Sequence, residues 1–389
     1  MDGRVVVVGP SKYFLSGISY YTIGLANALS KEADVSVVCL RRLLPRFLFP
    51  GRHRIGQEIT HLSLNGDVDV FDGVDYHNPL SWNAACSFLE RKRPRTLILQ
   101  WWTSSVAHML AVLGKAGKKV GSTIIVELHE TADPIENGNP LLRLYSRVAG
   151  KLVFSMADRF VAHSESDKVN AVSAYGLDPR KISVIPQVIC GNYTSNVDQN
   201  MARKMLGLER TFVLLSFGLI RDYKGIPYLL EAFNSLSENV AKASQLLLVG
   251  EVWESKNSLL KLINQSPFRD RIRLIDRYVP DSDVSLYFTA ADVVCLPYLR
   301  ASQSGVARTA AEFGKPVIVS RVGGLSESMA AYEGSRFVLP RDSNAIKEHL
   351  LELWSQWESG TCPRYPSPEN GWDDAVAFYR GIFRAAPAD

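Results

Sequence analysis

Arg221 and Lys224 stand three residues apart in the run Gly218-Leu219-Ile220-Arg221-Asp222-Tyr223-Lys224-Gly225. An apolar stretch at residues 212–216 precedes this run, and a helical stripe of Leu229, Leu230 and Phe233 follows it. A guanidinium brings a planar fork of donors and an ammonium brings a point charge. On one strand-to-helix loop the pair suits a diphosphate that gathers negative charge as it leaves. A cation on an exposed loop is ordinarily just solvated, so the weight lies in the spacing and the position, not in either residue alone. A second anion site is expected after Gly9 and Pro10, where SKYFLSG enters a helix with Ile18, Tyr21, Leu25 and Leu29 on one face. Ser16 and Gly17 would then sit at a helix N-terminus, where a glycine lets the backbone approach a phosphate and the dipole favours the anion. The plainer reading of Gly17 is a tight turn. The run is not GxGxxG, which weakens a nicotinamide or flavin reading. Asp67 and Asp69 flank an expected strand and Asp281 and Asp283 precede a helix, so no Asp-x-Asp metal pair falls in such a loop and neither metal nor cofactor is expected.

These loops need elements to hold them. Short runs rich in Val and Ile alternate with helix-length amphipathic segments, the pattern of βα units around a parallel sheet. Strands are expected at residues 4–8, 35–40, 68–71, 96–99, 123–128, 159–162 and 182–185. The pattern restarts with residues 212–216, 245–249, 272–274, 293–296, 317–319 and 336–338. The expected class is α/β, with two doubly wound Rossmann-like domains at residues 1–190 and 191–368. A polar linker runs around residues 187–210. After a Pro-rich loop, residues 369–389 supply a C-terminal helix expected to pack back on the first domain. Two such domains imply a ligand cleft where the carboxyl ends of their sheets face each other.

Composition narrows the classes further. A length of 389 residues and 46% apolar content suffice for two packed cores. The longest apolar stretches, such as residues 5–8 and 246–249, fall far short of the roughly 18 to 20 residues a spanning helix needs. The start MDGRVVVVGP runs straight into a strand pattern without a secretory signal, giving a cytoplasmic expectation. Cys39, Cys86, Cys190, Cys295 and Cys362 are widely spaced without a CxxC pair and are expected to be buried thiols. The net charge of +4 resides in the first half, where residues 1–190 carry 22 Lys plus Arg against 17 Asp plus Glu. That half faces an anionic partner or is simply well solvated. Nucleic acid is a poor candidate, because no aromatic-and-basic repeat or reading helix accompanies the charge.

The segments GLIRDYKGIPYLLEAF, LLLVGE (246–251), YVPDSDVSLYFTAADVVCLPY (278–298) and GKPVIVSRVGGLSES (314–328) follow one another as in the C-terminal domain of family 4 retaining glycosyltransferases. The chain resembles a GT-B enzyme of that family over nearly its full length. In the first half SGISYYTIGLANALS, LHE at 128–130 and AHSESDK at 162–168 agree less specifically. The resemblance implies a nucleoside diphosphate sugar as donor, held mainly by the second domain, and an acceptor bound by the first. It implies catalytic roles for Arg221 and Lys224 at the diphosphate and for His129 at the sugar. Ser16, Gly17, Gly218, Glu251, Tyr278, Val279, Gln303, Ser304, Gly305 and Thr309 are the implied donor-binding residues, with Glu130 on the acceptor side. The leaving phosphate oxygen would take the acceptor proton, so no protein base and no metal are required.

Two departures stand out. The family's paired glutamates fall at Ala301 and Thr309, so both acids are missing, and ASQSGVARTAAEFG looks like a branch carrying SQSG after the PY segment. Ser302 to Gly305 would lead into a helix whose N-terminal amides hold phosphate or sugar oxygens. Thr309 would meet a ribose hydroxyl more weakly than an acid does. The second departure is IPQVI at 185–189, where relatives carry an amide or histidine followed by glycine, which bears on the hinge. On the acceptor side, LRRLLPRFLFPGRHRIG sets Arg41, Arg42, Arg46, Arg52 and Arg54 among leucines and phenylalanines. Residues 41–54 suit peripheral association with an anionic membrane or a lipid phosphate, or else form a solvated loop over an apolar patch. With Trp101 and Trp102 at a strand end, a glycan or lipid-linked acceptor in cell-surface polysaccharide or glycoconjugate synthesis is expected. The competing readings are a soluble natural-product acceptor, a sugar-nucleotide epimerase, which the lack of paired acids disfavours, and a non-catalytic nucleotide-sugar-binding subunit.

Overall fold

The computed structural model describes residues 3–10, 12–13, 17–42, 62–76, 78–130, 140–186, 188, 193, 197–208, 211–368 and 371–385. By contacts the chain divides into two compact units, Met1–Cys190 with Asn370–Asp389, and Gly191–Glu369.

In the first unit β1 (Arg4–Pro10), α1 (Gly17–Ser30), β2 (Asp34–Arg42), β3 (Asp69–Asp75), α2 (Pro79–Lys92), β4 (Thr96–Trp101), α3 (Ala107–Lys119), β5 (Thr123–Leu128), α4 (Pro140–Phe154), β6 (Arg159–Ala162), α5 (Glu165–Tyr175) and β7 (Ile182–Val184) follow in order. All the strand pairs are parallel, in the order β3-β2-β1-β4-β5-β6-β7. The unbroken valines of β1 are the mark of a strand covered on both faces, and Val5 to Val8 are all buried. Chain order reverses between β1 and β4, so the loops leaving these neighbours diverge and open a switch point.

The second unit runs α6 (Gln199–Leu206), β8 (Phe212–Phe217), α7 (Ile226–Asn234), α8 (Glu238–Lys242), β9 (Ser244–Val249), α9 (Lys256–Asn264), β10 (Ile272–Ile275), α10 (Asp281–Ala290), β11 (Val293–Leu296), α11 (Gly305–Glu312), β12 (Val317–Ser320), α12 (Gly323–Met329), β13 (Ser335–Val338) and α13 (Ser343–Glu358). Its parallel sheet has the order β10-β9-β8-β11-β12-β13, and the switch point lies between β8 and β11. The strand positions read from the Val/Ile pattern coincide with the observed ones in both units, so the fold is a pair of Rossmann-like α/β domains.

A last helix, α14 (Trp372–Ala385), belongs to the first unit and lays Ala375, Val376 and Tyr379 into the core layer of β1 and α1. Gly24 of α1 makes that docking possible, because a Cβ there would stand 2.3 Å from the Trp372 ring. Cys39 and Cys295 are buried, and burial pushes both thiols up to about 12. Cys86 and Cys362 are only half-buried, which corrects the expectation of uniformly buried thiols, and Cys190 lies outside the described residues. Among the described residues no helix is long and apolar enough to cross a membrane.

Candidate active site

The loop from β8 to α7 is built to hold its two cations in different ways. Gly218 leaves the strand at φ 94°, and a short 3-10 turn at Asp222–Lys224 closes on Gly225 at φ 66°. A Cβ on Gly225 would meet the Pro297 carbonyl oxygen at 1.9 Å, and the Leu299 amide donates to the Tyr223 carbonyl at 2.7 Å. The loops leaving the neighbouring strands β8 and β11 are thereby packed together at the switch point. Lys224 is buried, and its Nζ donates to the Tyr298 hydroxyl at 2.6 Å and to the Phe217 carbonyl at 3.3 Å. Burial lowers its pKa, with a smaller push in the same direction from Arg221. An arriving phosphate would favour the ammonium again, which concentrates the attraction on an anion at that spot.

Arg221 is partly exposed and already partnered. Its Nε donates to Glu254 at 2.8 Å, and the other oxygen of Glu254 accepts the Asp222 amide at 3.0 Å. Burial pushes the Glu254 carboxyl up, but the hydrogen bond and charge of Arg221 and the Asp222 amide outweigh it, and the net shift is downward. Arg221 and Arg300 both approach the Tyr223 ring, at 5.8 and 5.5 Å. Sequence reasoning missed Glu254, Tyr298 and Arg300, because no spacing rule ties them to the cation pair; only the packing of strand ends does.

The other expected donor residues of this unit gather less uniformly. Ser304 caps α11 by accepting the Ala307 amide at 3.2 Å, leaving Gly305 at the helix start with open space where a Cβ would be. Ser302 and Gln303 are half-buried in the loop before it. Glu251 follows β9 and accepts the Trp253 indole at 2.9 Å, and Tyr278 is half-buried. Val279 packs in the core beneath. Thr309 spends its hydroxyl on the Gly305 carbonyl at 3.0 Å and is covered, so it offers no donor to a ribose. Glu312 lies on the same helix, and burial pushes its carboxyl up to about 7.

In the first unit the strand ends assemble a polar cluster inside the apolar core. Glu127, on β5, is fully buried. Tyr21 of α1 and Tyr379 of α14 donate to its Oε1 at 2.7 and 2.6 Å, and Gln100 of β4 donates to its Oε2 at 3.1 Å. Thr22 donates to the other end of Gln100 at 2.6 Å, and a Cβ on Gly9 would strike both residues. His129 follows β5, with its Nε2 3.4 Å from Glu127 Oε2, and His163 follows β6 with its Nε2 3.8 Å from Oε1. His129 is only 5% exposed, and its two ring nitrogens find no hydrogen-bond partner. Among the described residues Glu127, His129 and His163 present metal-ligating atoms within 4.8 Å of one another. The carboxylate already accepts three hydrogen bonds, which fits a closed polar network better than a vacant ligand set.

Trp101 and Trp102, expected to face an acceptor, are instead core residues. Trp101 is 1% exposed and packs edge-on to Phe154, and Trp102 is 7% exposed. A tryptophan ending a buried parallel strand is packing material first. Glu130 is half-buried beside His129 and Gly17 opens α1, whereas Ser16 and residues 43–61, which hold most of the basic stretch, lie outside the described residues.

The family model described as "Glycosyl transferases group 1" matches residues 211–356, and the one described as "Glycosyl transferase 4-like domain" matches residues 16–187. The two together cover most of the chain. The D-inositol 3-phosphate glycosyltransferase of Gordonia bronchialis is 27% identical over 285 residues, covering 69% of this chain and 58% of the relative. The chain thus spans less than two thirds of that relative's length. The protein of the same name from Pseudarthrobacter chlorophenolicus is 25% identical, covering 80% of this chain and 76% of its own. Among solved structures, HepE of Anabaena in complex with UDP superposes with a TM-score of 0.66 at 17% identity, over 98% of this chain and 95% of that one. The catalytic domain of starch synthase IV from Arabidopsis thaliana bound to ADP and acarbose gives 0.70 at 13%, over 99% of both. These likenesses carry the fold.

Proposed function

The chain belongs to the group 1 glycosyl transferases of GT-B fold, and from that premise we propose that it moves a sugar from a nucleoside diphosphate sugar to an acceptor hydroxyl with retention of configuration. The observation that carries the reading is the β8–α7 loop. It buries one cation and exposes another at the switch point of the matched C-terminal region. In this reading Lys224 and Arg221 neutralise the departing diphosphate, the α11 amides after Ser304 hold its oxygens, and the leaving oxygen takes the acceptor proton. That division of labour needs no metal, so turnover is proposed to be metal-independent.

The acceptor is proposed to be anionic. The first half of the chain carries the excess of basic residues, and the curated relatives are named for an inositol phosphate. A phosphorylated polyol and a lipid phosphate share that chemistry. The lipid source goes with peripheral attachment of a cytoplasmic enzyme through residues 41–54. The absence of a carboxylate at Ala301 and Thr309 favours one competing reading, a nucleotide-sugar-binding subunit without turnover.

The test is a thermal-shift and hydrolysis screen of UDP-, GDP-, ADP- and dTDP-sugars with and without EDTA, followed by transfer to inositol phosphate or to vesicles containing polyprenyl phosphate. One nucleotide should stabilise the fold in proportion to the logarithm of its concentration over Kd. The same donor should be hydrolysed slowly whether or not EDTA is present, and Arg221→Ala should lower turnover at least tenfold. Stabilisation without turnover on either acceptor would leave the binding-subunit reading standing, and no responding nucleotide would sink both.

A further inference from the structure

We propose that Glu127 is the positioning residue of His129, fixing its ring so that the Nε2 proton faces the carboxylate and Nδ1 is left as a bare acceptor for a ligand hydroxyl. The inference rests on the glycosyltransferase reading for what the ligand is, but the positioning itself rests on geometry. Glu127 lies inside the domain with Oε1 taken by Tyr21 and Tyr379 and Oε2 held by Gln100 at 3.1 Å. His129 Nε2 stands 3.4 Å from the same Oε2, an ion-pair contact with the carboxylate. The second histidine cannot compete for that role. His163 commits its Nδ1 proton to the Ile185 carbonyl at 3.1 Å, so in the neutral ring its Nε2 has no proton to give.

The charged and titratable groups around this point come from every element that packs there: Tyr21 from α1, Glu127 and His129 from β5, His163 from the end of β6 and Tyr379 from α14. Burial, the largest influence, raises the Glu127 carboxyl, but the neighbouring His129 and His163 and the Tyr379 hydroxyl outweigh it and bring it down to about 2, so it stays an anion. Burial drives His163 down to about 4 and keeps it neutral. Burial and the Glu127 charge push Tyr379 far above its ordinary value, so it stays a donor.

Both His129 ring nitrogens are buried without a hydrogen-bond partner, and Nδ1 lacks even the 3.4 Å ion-pair contact that Nε2 makes with Glu127. An acceptor left unmatched in the interior costs free energy, and in this reading a ligand hydroxyl supplies the match at Nδ1. Two of the three hydrogen-bond donors to Glu127 come from helices outside the sheet, and one of those is the last helix of the chain. The ring is therefore held correctly only when α14 is docked.

The experiment uses the full chain labelled with 15N at histidine, with three variants: Glu127→Gln, Tyr379→Phe and His129→Ala. The wild-type His129 ring should show a single tautomer, protonated at Nε2. Glu127→Gln replaces an obligate acceptor with an amide that can donate, so the tautomer should invert or become mixed. Tyr379→Phe removes one hydroxyl and should shift the same resonances less, and it carries the test should Glu127→Gln fold poorly. With the donor found in the nucleotide screen, Glu127→Gln should lower kcat about 10- to 100-fold with donor KM within about twofold. In the His129→Ala background it should cost no more than about twofold further, because it acts through that ring. An unchanged tautomer, or losses that multiply in the double variant, overturns the proposal. So does stoichiometric metal in the purified chain that Glu127→Gln releases, which would make the cluster a ligand set. A wild-type chain without turnover on any nucleotide sugar removes the functional reading alone, and the imidazole resonances still decide whether Glu127 holds the ring.

Discussion

The Arg221 guanidinium meets a carboxylate before it meets any substrate, and that has a measurable consequence. Glu254 takes the Nε donor at 2.8 Å, so a diphosphate arriving at this loop must compete with a fixed anion and endure its repulsion. Both partners are partly exposed, and such pairs are worth about 0.2–1 kcal/mol. Glu254→Gln should accordingly tighten binding of the preferred nucleoside diphosphate by roughly three- to fivefold in a calorimetric titration, most clearly at low salt. Weaker binding would mean that Glu254 aims the guanidinium rather than blocks it. The cations were legible from sequence, because a spacing of three on a strand-to-helix loop is a local pattern. Glu254, Tyr298, Glu127 and Tyr379 were not, because each reaches its partner through the pairing of strand ends or a helix that returns from far along the chain. Trp101 and Trp102 were misread for a related reason: composition does not say whether an aromatic at a strand end faces outward or into the sheet.

Elements were more legible than residues, because period-two and period-3.6 patterns are summed over many positions, and Val/Ile runs at a spacing of a βα unit leave little alternative to a parallel sheet. Which helix covers which face is set by pairwise fit instead, and α14 against α1 is the instance that matters here. Gly24 is open on the side where the Trp372 ring lies, with a virtual Cβ 2.3 to 3.0 Å from three ring atoms. Gly24→Ala should therefore cost about 1–3 kcal/mol by overpacking in urea unfolding. The same substitution with Trp372→Ala should recover stability relative to Trp372→Ala alone, since alanine in a helix is favoured over glycine by up to about 1 kcal/mol once the collision is gone. A Gly24→Ala protein as stable as the wild type would show that α14 is seated some other way. Because Tyr379 rides on the same helix, this variant should also disturb the His129 resonances without touching the cluster directly.

At the scale of the molecule, the two units carry buried titratable groups whose linkage to stability has opposite signs. In the first, His163 is held at about 4 by burial and by the charge of His129, against an ordinary value near 6.5. Between those values the unfolded chain binds a proton that the folded one refuses, so stability falls as pH drops from 6.5 to 4. At about 1.4 kcal/mol per pKa unit the loss is on the order of 3 kcal/mol. The anionic Glu127 adds nothing in that window, because its contribution disappears only as pH falls from about 4.5 toward 2. In the second unit, burial raises Glu312 to about 7, and Asp292 is also raised by burial despite its pairing with Arg203. A raised carboxyl keeps its proton in the fold after the unfolded chain has lost it, so its contribution is full below about 4.5 and disappears as pH rises through 7. Acidification from pH 7 to 5 should thus weaken the first unit while strengthening the second. Scanning calorimetry of the full chain at pH 7, 6 and 5 should show the thermal transition splitting, with the lower component belonging to the unit that holds His163. His163→Asn should remove most of the downward drift of that component, and Glu312→Gln should remove much of the upward drift of the other. A single transition that moves down as a whole in both variants would mean that the two units unfold together, and that the buried network of the first does not set the acid limit.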